Sequence, residues 1–404
     1  MTPIDVRAPG ALEGLPRRLR LFLSLAACIR CGTLTIRLPD GRTFRAAGEA
    51  AGPVADIAIH RLRMVRRLFL GGSVGFGESY MDGDWSTTDL APLLALAAYN
   101  EDHLGNVHAG GGFGAVLRRF WHRLRDNTRQ GSRRNIAHHY DLGNAFYARW
   151  LDGSMTYSSA VFEAGVQDLK AAQELKYRKL AEKLALAPGQ RVLEIGCGWG
   201  GFAEIAAREF GARVTAITVS REQLAFAQAR IQKAGLSDRV EARFVDYRDV
   251  RERFDKVASI EMFEAVGERH WPTYFGKIRD CLEPGGRAAL QIITIADKWF
   301  DSYRRGVDFI QRYIFPGGML PSMAALRHQV DRAGLALDRT EFYGQHYART
   351  LAEWNRRFQA AWHELEPMGF DRRFKRMWEF YLAYCEAGFR AGATDVVQLA
   401  LVRR

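Results

Sequence analysis

The chain has 404 residues, of which 48% are hydrophobic and 26% charged, with a formal charge of +12. That length predicts two or three domains with a sizeable core, and the excess of Lys and Arg predicts an anionic partner: nucleic acid, an anionic membrane surface or a charged substrate. Five irregularly spaced cysteines speak for a reducing compartment, the N-terminus MTPIDVRAPG has no apolar signal core, and no apolar run approaches the roughly 20 residues of a membrane span, so membrane contact is expected to be peripheral.

Residues 17–32 (RRLRLFLSLAACIRCG) read as a helix, with Arg on one side and Leu, Phe and Ala on the other. Cys28 and Cys31 make a CxxC without a second pair or a strand–helix redox setting, so no metal site is assigned. Residues 33–60 alternate as strands do, with a turn at Pro39-Asp40-Gly41. A helix is expected around 60–70, then the segment GFGESYMDGDW (75–85), then a helix over 88–102. Five glycines between Gly105 and Gly114 mark a linker, with a basic bridge at 115–135. The expected division is an N-terminal domain over 1–110, a basic linker over 111–135 and a second domain over 136–404.

From about 180 strands and helices alternate. Strands are expected at 191–195, 213–219, 240–244, 254–260, 287–295, 335–343 and 396–402, and helices at 201–210, 222–234 and 271–282. This is the pattern of an α/β doubly wound, mostly parallel seven-stranded sheet. Residues 350–390 are helical and aromatic-rich, from Trp354 and Phe358 to Trp378, Phe380 and Phe389, as core or as the wall of an acyl-chain site.

Gly196-Cys197-Gly198-Trp199-Gly200-Gly201 lies between a strand and a helix. Glycines there admit a ligand close to the backbone, and the helix N-terminus receives a negative group. Alone, such a turn leaves nicotinamide cofactors open. A dinucleotide site, however, wants an acid about 20 residues on, where this chain has Ile217-Thr218-Val219-Ser220. Glu194, at the strand end, is placed to accept from an ammonium. Together with the turn Leu282-Glu283-Pro284-Gly285-Gly286, these features favour S-adenosylmethionine.

The chain resembles the cyclopropane-fatty-acyl-phospholipid synthase family. The matching segments are GFGESYMDGDW (75–85), HYDLGNAFYARWLDGSMTYSSAVF (139–162), LEIGCGWGG (193–201), TVSREQ (218–223), SIEMFEAVG (259–267) and RYIFPGGMLPS (312–322), in the family's order. The resemblance implies a smaller α+β N-terminal domain that binds lipid and dimerises, and a Rossmann-like class I methyltransferase domain. It implies S-adenosylmethionine as cofactor and a cis-unsaturated phospholipid acyl chain as substrate. Tyr157, Ser158, Gly196 and Gly198 would contact the cofactor, Thr218 and Gln223 its ribose, Asp246 and Tyr247 its adenine end, and Ile260 the adenine or the methionyl chain.

An alkene is a poor nucleophile, so the methyl must be highly electrophilic, and a sulfonium supplies that. Transfer leaves a carbocation, which aromatic faces stabilise and water must not reach. A base then removes a proton. Loss from the new methyl closes a cyclopropane; loss from a neighbouring carbon leaves a methyl- or methylene-branched chain. The family's proposed base is bicarbonate, held by Cys, Glu, His and Tyr side chains and a backbone group. Glu264 and Tyr347 match, and Ile293 supplies the backbone group. Ser159 stands at the Cys position, Gln291 at the His position, and Ala265 where the family usually has His. Ser and Gln can hydrogen-bond an anion but offer no thiol or imidazole. Glu264 is therefore expected either to ligate the anion or to act as base directly, and ring closure remains the expected outcome beside methylation without a ring, giving a methyl-branched, methylene-branched or diene-methylated chain.

Seven arginines between Arg118 and Arg134, beside Phe120 and Trp121, fit an interfacial segment on anionic lipid better than a nucleic-acid patch. The expected location is cytoplasmic, peripherally on the inner face of the membrane. Two rival readings are a small-molecule methyltransferase and a lipid-binding protein with a vestigial methyltransferase fold.

Overall fold

The computed structural model describes residues 2–104, 142–163 and 165–404. The linker at 111–135 and the arginine segment at 118–134 lie outside these residues. The chain forms two compact units. The first takes the N-terminal part together with Ser302–Ile314 and Trp362–Ala393; the second takes the rest, including Thr394–Arg404. Two segments read from sequence as parts of one continuous stretch, 136–404, thus pack with the first unit.

In the first unit a five-stranded sheet has the order β1-β3-β2-β4-β5, formed by Ile4–Asp5 (β1), Cys31–Arg37 (β2), Thr43–Ala47 (β3), Ala50–Ile59 (β4) and Trp85–Ser86 (β5). Alternation puts Leu34, Ile36, Phe44 and Ala46 inside. The first helix is Arg17–Ala26, shorter than the 17–32 expected, because Cys31 opens β2. Gly32 has φ +85, and a Cβ there would lie 2.3 Å from the Pro53 carbonyl oxygen. Cys28 and Cys31 are both free.

The GFGESYMDGDW segment is a packing motif of this unit. It closes the helix Arg63–Met81, which kinks at Gly72. A Cβ on Gly77 would meet the Phe309 ring at 2.5 Å. Trp85 is fully buried, stacks on Phe76 at 4.3 Å and donates from Nε1 to Ser79 Oγ at 2.8 Å. Buried Asp84 accepts from Arg63 Nε at 2.8 Å. The helix Arg372–Arg390 adds Trp378, Phe380, Tyr381 and Leu382 to the same core.

The second unit contains a seven-stranded sheet of order β11-β12-β10-β9-β6-β7-β8. Its strands are Arg191–Ile195 (β6), Arg213–Thr218 (β7), Val240–Phe244 (β8), Phe254–Ile260 (β9), Leu282–Ile295 (β10), Leu335–Phe342 (β11) and Thr394–Arg403 (β12). All neighbours pair parallel except β12, antiparallel to both β10 and β11. The Rossmann-like α/β fold expected from the sequence is the one found. Central strands are apolar on both faces, as a sheet covered by helices requires: Val192, Leu193, Val257, Ala258, Ala289 and Leu290 are fully buried. From β6 the chain runs outward to β7 and β8, then returns to β9 on the other side of β6. That reversal opens a crevice at the carboxyl ends of β6 and β9, the usual ligand position in such sheets.

A further helix, Leu169–Lys183, was not read from the sequence. Gln173, Lys176 and Lys183 are among its buried residues, so its polar residues do not mark a solvent face.

Candidate active site

The strand β6 ends in Glu194 and Ile195, and the turn that follows puts Gly196, Gly198 and Gly200 at φ +83, +52 and +82. Only glycine adopts such values without strain. A Cβ on Gly196 would sit 2.7 Å from Met262 Cγ, and one on Gly201 would sit 2.7 Å from the Tyr177 hydroxyl. At Gly198 a Cβ would meet nothing within 4 Å, so this glycine borders open space. The helix Gly201–Phe210 begins there, with its N-terminal N–H groups directed back to the turn.

Glu194 is buried and accepts from the Ala203 backbone, while its Oε2 has no partner. Burial pushes its pKa up to about 8, with Arg230 and Lys176 pulling the other way. An unpartnered buried carboxyl beside a helix N-terminus suits a ligand carrying both an ammonium and a carboxylate, such as the methionyl end of S-adenosylmethionine.

Thr218 closes β7 and donates from Oγ1 to Gln223 Oε1 at 3.0 Å. Ser220 caps the next helix, Arg221–Lys233, accepting from Gln223 N at 3.3 Å. Both Thr218 and Gln223 are buried, so the Gln223 amide has one orientation. Asp246 follows β8 and accepts from Arg248 Nε at 2.8 Å and Nη2 at 2.7 Å. That pairing fixes the turn Tyr247–Asp249, and burial raises the Tyr247 hydroxyl to about 12. Ile260 ends β9 and packs against the core under β6.

The residues assigned to catalysis meet at one point, around a side chain the sequence reading passed over. Glu261 follows β9 with φ +49. Its Oε1 accepts from Ser159 N at 2.7 Å and from Gln291 Nε2 at 2.7 Å. Its Oε2 accepts from the Tyr347 hydroxyl at 2.8 Å. Ser159 takes part through its main chain: its hydroxyl donates instead to the Ala160 carbonyl at 3.1 Å. Gln291 lies in β10 opposite Ile260 on one side and Gln398 of β12 on the other. Gln398 Nε2 donates to Gln291 Oε1 at 2.9 Å, which turns the Gln291 NH2 towards Glu261.

Glu264 stands one 3-10 turn further on. Its Oε1 accepts from Ile293 N at 2.5 Å, and its Oε2 is buried without a partner. Burial, and then the neighbouring Glu261, push its pKa up to about 8. Two carboxyls this close do not both ionise readily. Glu261 has three donors and Glu264 Oε1 has the Ile293 N–H, so the charge belongs on Glu261 and the proton on Glu264.

Ser158 is tied down rather than open: Lys176 Nζ donates to its Oγ at 2.6 Å and Gln173 Nε2 to its carbonyl at 2.8 Å. Lys176 is fully buried, which pulls its pKa down against the attraction of Glu261, Asp152 and Glu194. It is a second buried polar group at this site that the sequence reading missed. Tyr157 is half-buried in a chain of rings: Trp199 lies 5.3 Å from Tyr147, Tyr147 5.4 Å from Tyr157, Tyr157 5.1 Å from Trp354, and Trp354 6.0 Å from Tyr347. Aromatic faces therefore run from the glycine turn to the Glu261 cage. The bicarbonate implied by the resemblance does not fit here, because Glu261 accepts from Ser159, Gln291 and Tyr347, and Glu264 accepts from Ile293.

Comparison with known proteins agrees with this geometry. A family model described as mycolic acid cyclopropane synthetase matches residues 127–399. The chain is 41% identical over 369 residues to the tuberculostearic acid methyltransferase UfaA1 of Mycobacterium tuberculosis, covering 89% of this chain and 86% of that one. It is 36% identical over 382 residues to the cyclopropane-fatty-acyl-phospholipid synthase of Escherichia coli K12, covering 91% and 95%. Among solved structures, the cyclopropane synthase MmaA2 of Mycobacterium tuberculosis superposes with a TM-score of 0.63 at 29% identity, over 67% of this chain and 98% of that one. The mycolic acid cyclopropane synthase CmaA1, in complex with SAH and CTAB, gives a TM-score of 0.64 at 28% identity, over 67% and 98%. A class I methyltransferase sheet, an S-adenosylmethionine turn and these relatives converge: the chain belongs to the mycolic acid cyclopropane synthetase family and is an S-adenosylmethionine-dependent lipid methyltransferase.

Proposed function

We propose that the enzyme methylates a cis double bond in an acyl chain of a phospholipid. The observation that carries this reading is the pairing of an aromatic column with a buried carboxylate cage, both at the crevice between β6 and β9. Transfer to an alkene needs both: a surface that stabilises a carbocation without trapping it, and a base to end the reaction. Bound at the glycine turn, S-adenosylmethionine supplies the electrophilic methyl. Glu194, Gly196 and Gly198 would hold its methionyl end, Thr218 and Gln223 its ribose, and Asp246 and Tyr247 its adenine end, with Ile260 against the adenine or the methionyl chain. Tyr157 would face the reacting centre. Holding the double bond against the methyl provides much of the rate.

Loss of a proton from the new methyl gives a cyclopropane, which the similarity to the Escherichia coli relative supports. A second reading, methylation without ring closure, is favoured by Ser159 and Gln291 in place of a thiol and an imidazole, and by the relative named for tuberculostearic acid. The N-terminal domain, 1–110, would bind lipid and pair two copies, and the arginines of 118–134 would dock the enzyme on the anionic inner face of the membrane. Exposing an acyl chain to water costs about 0.8 kcal/mol per CH2, so the substrate has to be drawn directly from the bilayer.

The test is incubation with methyl-labelled S-adenosylmethionine and vesicles of dioleoylphosphatidylglycerol. Label should enter the acyl chains with a gain of one CH2. A ring survives ozonolysis and a methylene branch does not, which separates the two products. Label confined to the headgroup or to soluble compounds would overturn the proposal.

A further inference from the structure

An anion-binding cage has donors that face inward. Here those donors already serve an anion, and that anion is part of the chain. Ser159 N and Gln291 Nε2 donate to one oxygen of Glu261 and the Tyr347 hydroxyl to the other, all between 2.7 and 2.8 Å. Ile293 N donates to Glu264. A dissolved bicarbonate entering this space would have to displace a carboxylate fixed to the backbone, and would leave that carboxylate buried and unpaired, which is strongly unfavourable.

Backbone geometry is a second, independent sign. Glu261 has φ +49, a region that strains an L-residue. Glycine would sit there without strain. A strained position held by a charged side chain is characteristic of functional sites.

We infer that the Glu261 carboxylate replaces bicarbonate in this enzyme and is the base that ends the reaction. This rests on the alkene-methylation reading above. After methyl transfer, a C–H bond of the new methyl or of the adjacent carbon breaks. Its electron pair fills the cationic carbon, closing the ring or forming a double bond, and the proton passes to Glu261 Oε2. The neutral acid then releases that proton to solvent as product leaves, which balances the positive charge lost from the sulfonium. Burial pushes the Glu261 carboxyl above the ordinary range, which makes it a stronger base than an exposed carboxylate, while its three donors and Lys176 favour the ionised form. Gln398 acts only as a positioning residue, through Gln291.

The experiment compares the full-length enzyme with Glu261→Gln and Glu261→Gly. Binding of 13C-labelled bicarbonate to each, saturated with S-adenosylhomocysteine, is followed by NMR. Methyl transfer to dioleoylphosphatidylglycerol vesicles is measured in CO2-free buffer and in millimolar bicarbonate. Wild type should bind no bicarbonate and run at the same rate in both buffers. Glu261→Gln should lose at least about 100-fold, the scale of a general base, in both buffers, with S-adenosylhomocysteine binding kept. Glu261→Gly, with its cage opened, should bind bicarbonate and recover at least about tenfold in activity when it is added. Dependence of wild type on bicarbonate, near-normal turnover by Glu261→Gln, or an empty cage in Glu261→Gly would each overturn the inference. Should wild type label no acyl chain at all, the alkene reading fails, and the contrast in bicarbonate binding still decides what the cage holds.

Discussion

Replacing Gln398 by Leu tests whether the cage is held from behind. The Gln398 amide is fully buried and donates to Gln291 Oε1 at 2.9 Å, while its own Oε1 has no partner. Leucine of similar volume removes that orphan oxygen and the donor together, so the two stability effects oppose each other and the folded protein should persist. Gln291 Oε1 then has no donor, and the amide is held against turning only by its NH2, which donates to Glu261 Oε1 at 2.7 Å and to the Ser159 carbonyl at 3.3 Å. A turned amide sets oxygen against Glu261 Oε1 where an N–H now donates at 2.7 Å. The loss is one hydrogen bond to a charged group, about 1.5–3 kcal/mol. If the bond is needed in the transition state, that is roughly 10- to 150-fold in kcat. The assay is initial-rate transfer of labelled methyl to vesicles, with S-adenosylhomocysteine affinity measured in parallel and expected to hold. Gln291→Leu and the double variant should lose about as much as Gln398→Leu, because both substitutions break one connection. A kcat within threefold of wild type, or additive losses in the double variant, would refute the claim that Gln398 acts through Gln291.

Three other outcomes are expected. Glu264 keeps its proton to about pH 8 when folded, against an ordinary 4.5, so the ligand-free enzyme should lose stability as pH rises through that window, and Glu264→Gln should flatten the fall; identical pH–Tm curves would show that Glu264 is ionised in the folded state. Gly198→Ala places a methyl in open space at φ +52, so it should cost only about 1–2 kcal/mol of stability yet weaken S-adenosylmethionine binding at least tenfold by calorimetry; unchanged affinity would remove Gly198 from the cofactor site. Lys176→Met takes a positive charge from beside Glu261 and Glu194, so both carboxyls should protonate more readily and the acid limb of the activity profile should move to higher pH; a limb that stays put would mean that Lys176 is not charged in the working enzyme.

Much of the catalytic fold was legible in the chain. The strands at 191–195, 240–244 and 254–260 have the ends expected, because buried parallel strands are short apolar runs with polar punctuation. The glycine turn was legible because three of its residues take positive φ, which only glycine adopts without strain. What stayed hidden was polar and buried. Lysine is almost never fully buried without partners, so nothing in the sequence set Lys176 apart, and its helix was not read at all. Glu261 follows Ile260 directly, where a polar residue commonly ends a strand, and of the two acids it is Glu264 that matches the family. One signal was available: SIEMFEAVG sets two carboxylates three residues apart immediately after a buried strand, an arrangement that repels itself unless one of them is bound. The reach of 302–314 and 362–393 into the first unit had no local signature, since an aromatic stripe reads alike in either core.

That last arrangement bears on synthesis. The chain passes between the two units at 301–302, 314–315, 361–362 and 393–394. A ribosome delivers residues in order, yet the core around Trp85 waits for Trp378 and Phe380, nearly three hundred residues later. The strands of the N-terminal sheet are all delivered early, so the nascent unit must hold them with apolar surface uncovered through most of translation. No single cut would free either unit intact, so the two have to be made, and inherited, as one piece.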